Sequence, residues 1–319
     1  MTSSSNSDQK KAVMTIGVFD GVHRGHRALI GKVVKRAEQL GVRSVCVTFT
    51  PHPQEVLNPG VSIPRLTTLE DRIALIKGLG VSDVLLIQFS QTIAQMSPEE
   101  FIARLNERFS LIELWVGSNF ALGRGRVGTP DRLALIGSKK GFSVHSFPRV
   151  EAGAEAVSSS RIRTLLSDGH VAEAAELLCR YYSLKGNVVS GDRRGGASLG
   201  FATANLEVAE KLCVPRDGVY AVHGWVGKRD AYSGVCNIGF RPTFNGHRRQ
   251  VEAHLIGFQG DLYGKEISLE FVERLRDERR FQSVEELVAQ ITSDIQHAER
   301  LLSRATAPQC DSNRRGVAL

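Results

Sequence analysis

The sequence lacks long hydrophobic runs, which excludes an ordinary helical membrane protein. No apolar stretch approaches the roughly 20 residues that a membrane-spanning helix needs. Residues 1–11 are polar and rich in serine, unlike the apolar core of a secretory signal. We therefore expect no membrane association and a cytoplasmic location.

Cysteine is also scarce. The chain has five cysteines, which is an odd number, and no pair in C-x-x-C spacing. This pattern argues against both a disulfide framework and a zinc site, so we expect reduced thiols. The cysteines are Cys46, Cys179, Cys213, Cys236 and Cys310.

Grouped basic and aromatic residues are missing as well, although the net charge is +7. Only 7% of the residues are aromatic, and the lysines and arginines are spread along predicted helices. Nucleic-acid surfaces usually concentrate such residues on one face. We expect small polyphosphate ligands rather than a nucleic-acid partner. The distribution of charged and aromatic residues does not indicate an oligomeric state.

The 319 residues suffice for two domains, and the first half alternates predicted strands and helices. Such alternation predicts an α/β fold, in which helices cover both faces of a parallel sheet. After the first helix, the predicted strands are Ser44–Phe49, Val84–Phe89, Leu111–Val116 and Ser143–Phe147. The predicted helices are Thr68–Leu79, one beginning at the capping box Ser97–Glu100, and Asp131–Gly137.

A glycine-broken apolar segment, residues 15–26, leads into the first predicted helix and contains His23 and His26. The histidines would lie beside unpaired backbone N–H groups at the positive end of the helix dipole, where a phosphate is favoured. Gly25 lets the backbone approach a ligand closely. The alternative is a helix cap or a surface pair, but the spacing favours a nucleotide site. The other candidate residues of this turn are Gly17, Phe19 and Asp20.

Three further segments suit a phosphate ligand. Residues 50–53 and the glycine-rich and arginine-rich residues 117–128 follow predicted strands, and ligands bind at the carboxyl ends of the strands in such sheets. Residues 158–163 combine serines with arginines at a helix start, which suits a phosphate as well as an ordinary cap. By itself, the 117–128 loop would be interpreted as a flexible connection, and its location at a strand end is what favours ligand contact.

From about residue 181 the sequence changes to short alternating strands separated by Gly, Asp and Pro. Without intervening helices these strands pair mostly antiparallel, which predicts a small closed barrel followed by a helix from Ser283 to Leu301. We expect disordered tails at residues 1–12 and 303–319. The predicted strands are Ser183–Val189, Gly218–Val226, Tyr232–Phe240, Val251–Phe258 and Ile267–Arg276.

A second candidate site lies in this half. Thr203 and Asn205 alternate along an extended segment, so both point to one side and offer oxygen ligands to Mg²⁺. Glu252 is a carboxylate in an apolar strand, where it needs a partner or a task; alternatively, it faces the surface of a half-exposed strand. The preceding glycine-rich loop could surround phosphates with its amides, and its candidate residues are Gly191, Gly195 and Gly200.

Residues 13–302 resemble the bacterial bifunctional riboflavin kinase/FMN adenylyltransferase family. The motifs that carry the resemblance are Gly17–His26, Thr48–Pro53, Leu66–Leu69, Ser97–Phe101, Gly117–Phe120, Ser158–Arg163, Gly200–Asn205, Gly218–Tyr220, Asn237–Gly239, Arg241–Phe244, Val251–His254 and Asp261–Gly264. The resemblance implies a Rossmann-like adenylyltransferase domain at residues 13–180 and a riboflavin kinase barrel at residues 181–302. It also implies two Mg²⁺-dependent reactions, in which riboflavin and ATP give FMN and ADP, and then FMN and ATP give FAD and pyrophosphate.

The same resemblance assigns roles to the candidate residues. In the first domain, His23 and His26 would contact ATP phosphates and Asn119 would lie by the nucleotide and the flavin phosphate. In the kinase barrel, Glu252 would accept the proton of the riboflavin 5′-hydroxyl. The residues that would aid adenylyl transfer are Ser159, Ser160 and Arg163, and those that would hold Mg²⁺-ATP in the kinase are Thr203 and Asn205.

Two departures from the family pattern keep alternatives open. Ala202 stands where the family usually has proline, and the step from Ala197 to Ser198 lacks the usual basic residue. One alternative is therefore an FMN adenylyltransferase with an impaired kinase site. The other is a non-catalytic flavin-binding or RNA-binding regulator, against which Glu252 argues because binding alone needs no general base.

Overall fold

A computed structural model describes residues 10–190, 201–227, 230–243, 246–308 and 310 of the chain. By its internal contacts the chain divides into two compact units, Met1–Ser159 and Ser160–Leu319. The sequence analysis placed the boundary at residue 180 instead, after two helices that the contacts assign to the second unit.

The first unit is built on a five-stranded parallel sheet in the order β3-β2-β1-β4-β5. The strands are β1 (Lys10–Ile16), β2 (Arg43–Thr50), β3 (Asp83–Gln88), β4 (Phe109–Gly117) and β5 (Ser143–Phe147). The helices are α1 (Arg24–Leu40), α2 (Pro53–Leu57), α3 (Leu69–Lys77), α4 (Gln91–Gln95), α5 (Pro98–Asn106) and α6 (Pro130–Lys140). A small hairpin of β6 (Glu151–Ala152) and β7 (Glu155–Ala156) follows, then α7 (Ser159–Asp168).

Helices cover both faces of this sheet, as the alternating pattern predicts. Val45 and Val47 of β2 pack in one buried cluster with side chains of α4, α5 and α6. Cys46, between them in the strand, packs in another cluster with side chains of α1 and α3. Neighbouring residues of one strand therefore enter opposite hydrophobic layers. The predicted α/β fold class is confirmed.

The first strand begins inside the segment that the sequence analysis assigned to a disordered tail. Lys10 and Lys11 pair with Phe109 and Ser110 at the start of β4. Polar residues can form the end of a strand when their backbone groups are paired. The polar composition of the segment therefore gave no indication of this pairing. The expectation of a tail is wrong for residues 10–12.

The second unit is a closed barrel of six strands in the order β10-β11-β12-β9-β8-β13, and all its neighbouring strands are antiparallel. The strands are β8 (Tyr182–Val189), β9 (Ala204–Val208), β10 (Gly218–Val226), β11 (Asp230–Thr243), β12 (Gly246–Leu255) and β13 (Glu266–Arg276). Helix α8 (Val171–Leu178) precedes the barrel and α9 (Val284–Leu302) follows it.

The closed barrel and its final helix confirm the predicted architecture, with one added strand. The sequence analysis treated the segment around Thr203 and Asn205 as extended but did not count β9 among the strands. β9 has only five residues and includes the polar Asn205 and Glu207. Its pairing with β12 and β8 therefore decides its conformation more than local propensity does.

The expectation of five reduced thiols is wrong for two of them. The structure joins Cys179 at the end of α8 to Cys310 by a disulfide bond, with their Cα atoms 5.1 Å apart. The sequence separation of 131 residues gave no spacing pattern to read. Cys46, Cys213 and Cys236 are buried and lie outside this disulfide bond, which agrees with the expectation of reduced thiols for these three.

Within the described part of the chain, no helix combines the length and the apolar character that a bilayer crossing requires.

Candidate active sites

The turn after β1 is held in an uncommon backbone conformation. Phe19 and Val22 have positive φ angles of 54° and 41°. The buried carboxylate of Asp20 accepts hydrogen bonds from the backbone N–H groups of Leu66 and Thr67, at 3.0 and 3.2 Å. Positive φ is unfavourable for residues with large side chains, so such contacts are needed to keep the turn in shape.

Gly17 and Phe19, which the sequence analysis predicted to contact the ligand, pack against each other beneath His26 in this turn. Phe19 is 2% exposed, and its ring meets the ring of His26 edge-on with the centroids 5.1 Å apart. A Cβ atom on Gly17 would lie 2.9 Å from Cζ of Phe19. Glycine at position 17 therefore lets Phe19 lie where it supports His26.

His23 and His26 form a stacked pair with ring centroids 3.6 Å apart, and Gly25 lies beside the His23 ring. His23 caps α1 because its Nδ1 accepts a hydrogen bond from the backbone N–H of His26 at 3.3 Å. Neutral His23 therefore carries its proton on Nε2. Burial, and secondly the neighbouring His23, lower the pKa of His26 well below its ordinary value. Nδ1 of His26 is buried and lacks a hydrogen-bond partner among the described residues.

The arrangement suits an anionic ligand. Two imidazoles lie at the positive end of α1, where the first backbone N–H groups of the helix also point outward. The lowered pKa of His26 keeps its ring neutral near pH 7, with one N–H donor. His23 thus acts as a helix cap, which the sequence analysis considered as the alternative.

The loops predicted to bind the nucleotide follow adjacent strands. β2, β1 and β4 are parallel neighbours in the sheet, so residues 20–26, 50–53 and 117–128 leave it from the same edge. Asn119 is exposed in the last of these loops. The topology therefore brings these three predicted segments to one edge.

Only part of the serine and arginine cluster belongs to the first unit. The Oγ atom of Ser159 donates a hydrogen bond to the backbone carbonyl of Asp20 at 2.9 Å, which joins this serine to the histidine turn. Ser160 and Arg163 follow on α7, and residues from 160 onward belong to the second unit.

In the barrel, three polar residues line up across three strands. Glu252 of β12 is opposite Asn205 of β9 on one side and Asn237 of β11 on the other. Residues directly opposite in antiparallel strands point to the same face. Thr203, two residues before Asn205, donates from Oγ1 to Oε1 of Glu252 at 2.5 Å. The predicted trio of Thr203, Asn205 and Glu252 is therefore one cluster.

A cavity of about 260 Å³ opens beside this cluster. Thr203, Asn237 and Glu252 form part of its polar lining, and α9 contributes an apolar wall. The apolar residues of the lining include Val219, Val235, Leu287, Ile291 and Ile295. A flat apolar ligand with a polar end matches such a lining.

The donor set also fits a magnesium ion. Oδ1 of Asn205 is buried and has no hydrogen-bond partner among the described residues. A threonine hydroxyl can donate its proton to a carboxylate while its oxygen keeps a lone pair for a cation. Thr203 and Asn205 thus present two hard oxygen ligands of the kind that Mg²⁺ prefers. The glycines predicted to bind phosphate, Gly191, Gly195 and Gly200, lie outside the described residues.

Comparison with known proteins finds a matching family model for each half of the chain. The family model for FAD synthetase matches residues 5–161, and the model for riboflavin kinase matches residues 178–302. The bifunctional riboflavin kinase/FMN adenylyltransferase of Bacillus subtilis is 38% identical over 304 residues, which cover 93% of this chain and 94% of the relative. The chain belongs to this bifunctional family.

Other relatives extend the agreement. The bifunctional riboflavin kinase/FMN adenylyltransferase of Escherichia coli strain K12 is 36% identical over 91% of this chain and 92% of its own length. A solved structure from Streptococcus pneumoniae, described as a macrolide-efflux protein, superposes with a TM-score of 0.85 at 29% identity and covers 93% of this chain and 95% of that chain. The family inferred from the sequence is confirmed, and each of its two named activities has a matching domain in the chain.

Two residues near these sites were not predicted from the sequence. Arg72 of α3 is 8% exposed and donates to the carbonyls of Val18 and Phe49, at 2.9 and 2.8 Å, so it ties the chain after β1 to the end of β2. A single arginine in an amphipathic helix gives no signal of this contact. Asn237 lies in a motif that supports the resemblance, but only the strand register places it next to Glu252.

Proposed function

We propose that this protein phosphorylates riboflavin to FMN in the barrel and adenylylates FMN to FAD in the α/β unit. The observation that carries the proposal is the cluster of Thr203, Glu252 and the unpartnered Oδ1 of Asn205 beside a largely apolar cavity. It combines a base, candidate cation ligands and space for a flat ring system in one place.

In the kinase reaction, Glu252 accepts the proton of the riboflavin 5′-hydroxyl as this oxygen attacks the γ-phosphorus of ATP, and ADP leaves. A neutral hydroxyl is a weak nucleophile, so a base adjacent to it lowers the barrier. Thr203 and Asn205 hold Mg²⁺, which when bound neutralises charge on the transferring phosphoryl group. The ATP phosphates are held by the glycine-rich loop that contains Gly191, Gly195 and Gly200.

In the adenylyl transfer, an oxygen of the FMN phosphate attacks the α-phosphorus of ATP, and pyrophosphate leaves. This nucleophile is already anionic, so the site needs donors and cations rather than a base. His23 and His26 donate to the ATP phosphates at the start of α1. The remaining residues that we assign to this reaction are Gly17, Phe19, Asp20, Gly25, Asn119, Ser159, Ser160 and Arg163.

A flavin turnover assay tests the proposal. Purified protein is incubated with riboflavin, ATP and Mg²⁺, and the flavins are separated by chromatography. We expect FMN to form first and FAD later. FAD from supplied FMN, without FMN from riboflavin, would select a lone adenylyltransferase. A complete lack of turnover, together with salt-sensitive binding of RNA, would select the regulator.

Two variants separate the steps on the same chain. His26→Ala should reduce mainly FAD formation from FMN, and Glu252→Ala should reduce mainly FMN formation from riboflavin. Loss of both activities in either variant would contradict the assignment of two separate sites.

A further inference from the structure

The segment that carries Thr203 lies just outside the barrel ladder. Pairing of β9 with β12 runs from Leu206 and Val251 to Ala204 and Ala253, where it stops. Residues 201–203 precede β9 and have no strand assignment. Ladder hydrogen bonds to β12 therefore do not account for the placement of Thr203, whose hydroxyl nevertheless contacts Glu252 at 2.5 Å.

The side chain of His254 contacts the segment before β9 at the point where backbone pairing between β9 and β12 has ended. It is the next residue of β12 after Ala253, and its Nδ1 atom lies 2.8 Å from the backbone carbonyl oxygen of Ala202. A carbonyl oxygen only accepts hydrogen bonds, so Nδ1 of His254 carries the proton and donates. The imidazole thus fixes the peptide that immediately precedes Thr203.

His254 also lies on the catalytic side of β12. Residues two apart in a strand point to the same face, so His254 shares its face with Glu252, and both line the cavity. The His254 ring meets the Phe201 ring edge-on, with the centroids 5.8 Å apart. One side chain therefore contacts both Phe201 and Ala202, the two residues before Thr203.

We propose that His254 is a positioning residue of the kinase site, whose Nδ1–H bond to Ala202 holds the Thr203 hydroxyl against Glu252. This inference rests on the proposed kinase function. His254 acts through the backbone of residues 202 and 203 and takes no proton from riboflavin. Its loss should weaken the use of Mg²⁺-ATP, because the threonine that it places is a predicted ligand of the cation.

Two variants separate the hydrogen bond from the packing of the ring. His254→Asn keeps a donor nitrogen bonded to Cγ, at the place of Nδ1, but loses the ring. His254→Phe keeps a ring against Phe201 but loses the donor. One hydrogen bond is worth roughly a two- to ten-fold change in rate or affinity. We expect kcat/KM for Mg²⁺-ATP in the kinase reaction to fall by about this factor in His254→Phe and by clearly less in His254→Asn.

Formation of FAD from supplied FMN provides the internal control, since we assign that reaction to other residues, and it should not change in either variant. Equal kinase losses in the two variants, or a larger loss in His254→Asn, would overturn the proposal in favour of ring packing. If thermal unfolding shows that His254→Phe does not fold, His254→Gln replaces it. Glutamine carries its donor nitrogen one bond farther from Cβ than Nδ1 of histidine, so it also lacks a donor at the place of Nδ1. An inactive wild-type kinase would refute the proposed function itself, whereas an active kinase that is indifferent to all three variants would refute only the role of His254.

Discussion

Replacing Glu252 by glutamine removes the proposed general base while leaving the shape of the kinase site intact. The Oε1 atom of Glu252 accepts the hydrogen bond from Thr203 at 2.5 Å, and a glutamine carbonyl can accept the same bond. The substitution therefore removes the ability to take up a proton without freeing Thr203 from its partner.

The expected loss of kinase activity follows from this geometry. A positioned general base contributes about 10²- to 10⁴-fold to a reaction rate, so Glu252→Gln should lower kcat of the kinase by that factor. KM for riboflavin should change little, since the cavity lining keeps its volume. Glu252→Ala removes the acceptor of the Thr203 hydroxyl as well, and one such bond, about 1 kcal/mol, adds roughly a five-fold loss.

The assay follows FMN formation from riboflavin at saturating Mg²⁺-ATP, with FAD formation from FMN measured on the same preparation. The reasoning predicts a kinase loss in the order wild type, Glu252→Gln, Glu252→Ala, with unchanged adenylyl transfer. A Glu252→Gln kinase that keeps more than about a tenth of the wild-type kcat would refute the role of Glu252 as a base.

Three further predictions concern stability, each measured by urea unfolding. Gly17→Ala places a methyl group 2.9 Å from a ring carbon of Phe19 and should lower the free energy of unfolding by about 1–3 kcal/mol. The matched control is Gly31→Ala, because a Cβ atom at Gly31 would have nothing within 4 Å. This control should stabilise α1 by about 0.5–1 kcal/mol. The pKa of His26 is about 6.5 in the unfolded chain and lower in the folded chain. At a pH between these two pKa values, the unfolded chain binds a proton that the folded chain does not. Stability should therefore fall as the pH drops below about 6.5, and less steeply in His26→Phe. Asp294→Ala leaves Arg276 without its buried partner, 2.8 Å away, and should cost about 3 kcal/mol. Unchanged unfolding midpoints in these variants would contradict the corresponding contacts.

The hydrophobic pattern was sufficient to predict the α/β unit. The central strands of the sheet contain short apolar runs, and the main helices have one apolar face, so period and order together imply parallel strands with covered faces. The barrel was harder to read, because β9 is short and polar and its conformation depends on pairing with β12 and β8. The Cys179–Cys310 bond could not be read at all, since a separation of 131 residues carries no spacing signal.

Among the site residues, those that stand close together in the sequence were the ones that could be predicted. His23, Gly25 and His26 lie in one turn, and the residue types already indicate contact with phosphate. Arg72 could not be found in this way, because its role consists of contacts with the carbonyls of Val18 and Phe49, which are far from it in the sequence. The neutrality of His26 depends on burial and on the stacked His23, which are also properties of the folded chain.

The sequence by itself determined the two-domain organisation, the fold class, the family and the chemical types of residue at each site, because local periodicity and short motifs encode these. Only the tertiary structure decided that Thr203, Asn205 and Glu252 form one cluster, with Asn237 beside it and His254 holding the chain before Thr203. The reason is that these contacts depend on strand register between segments that are separate in the sequence, and a shift of one residue would turn each side chain to the other face of the barrel.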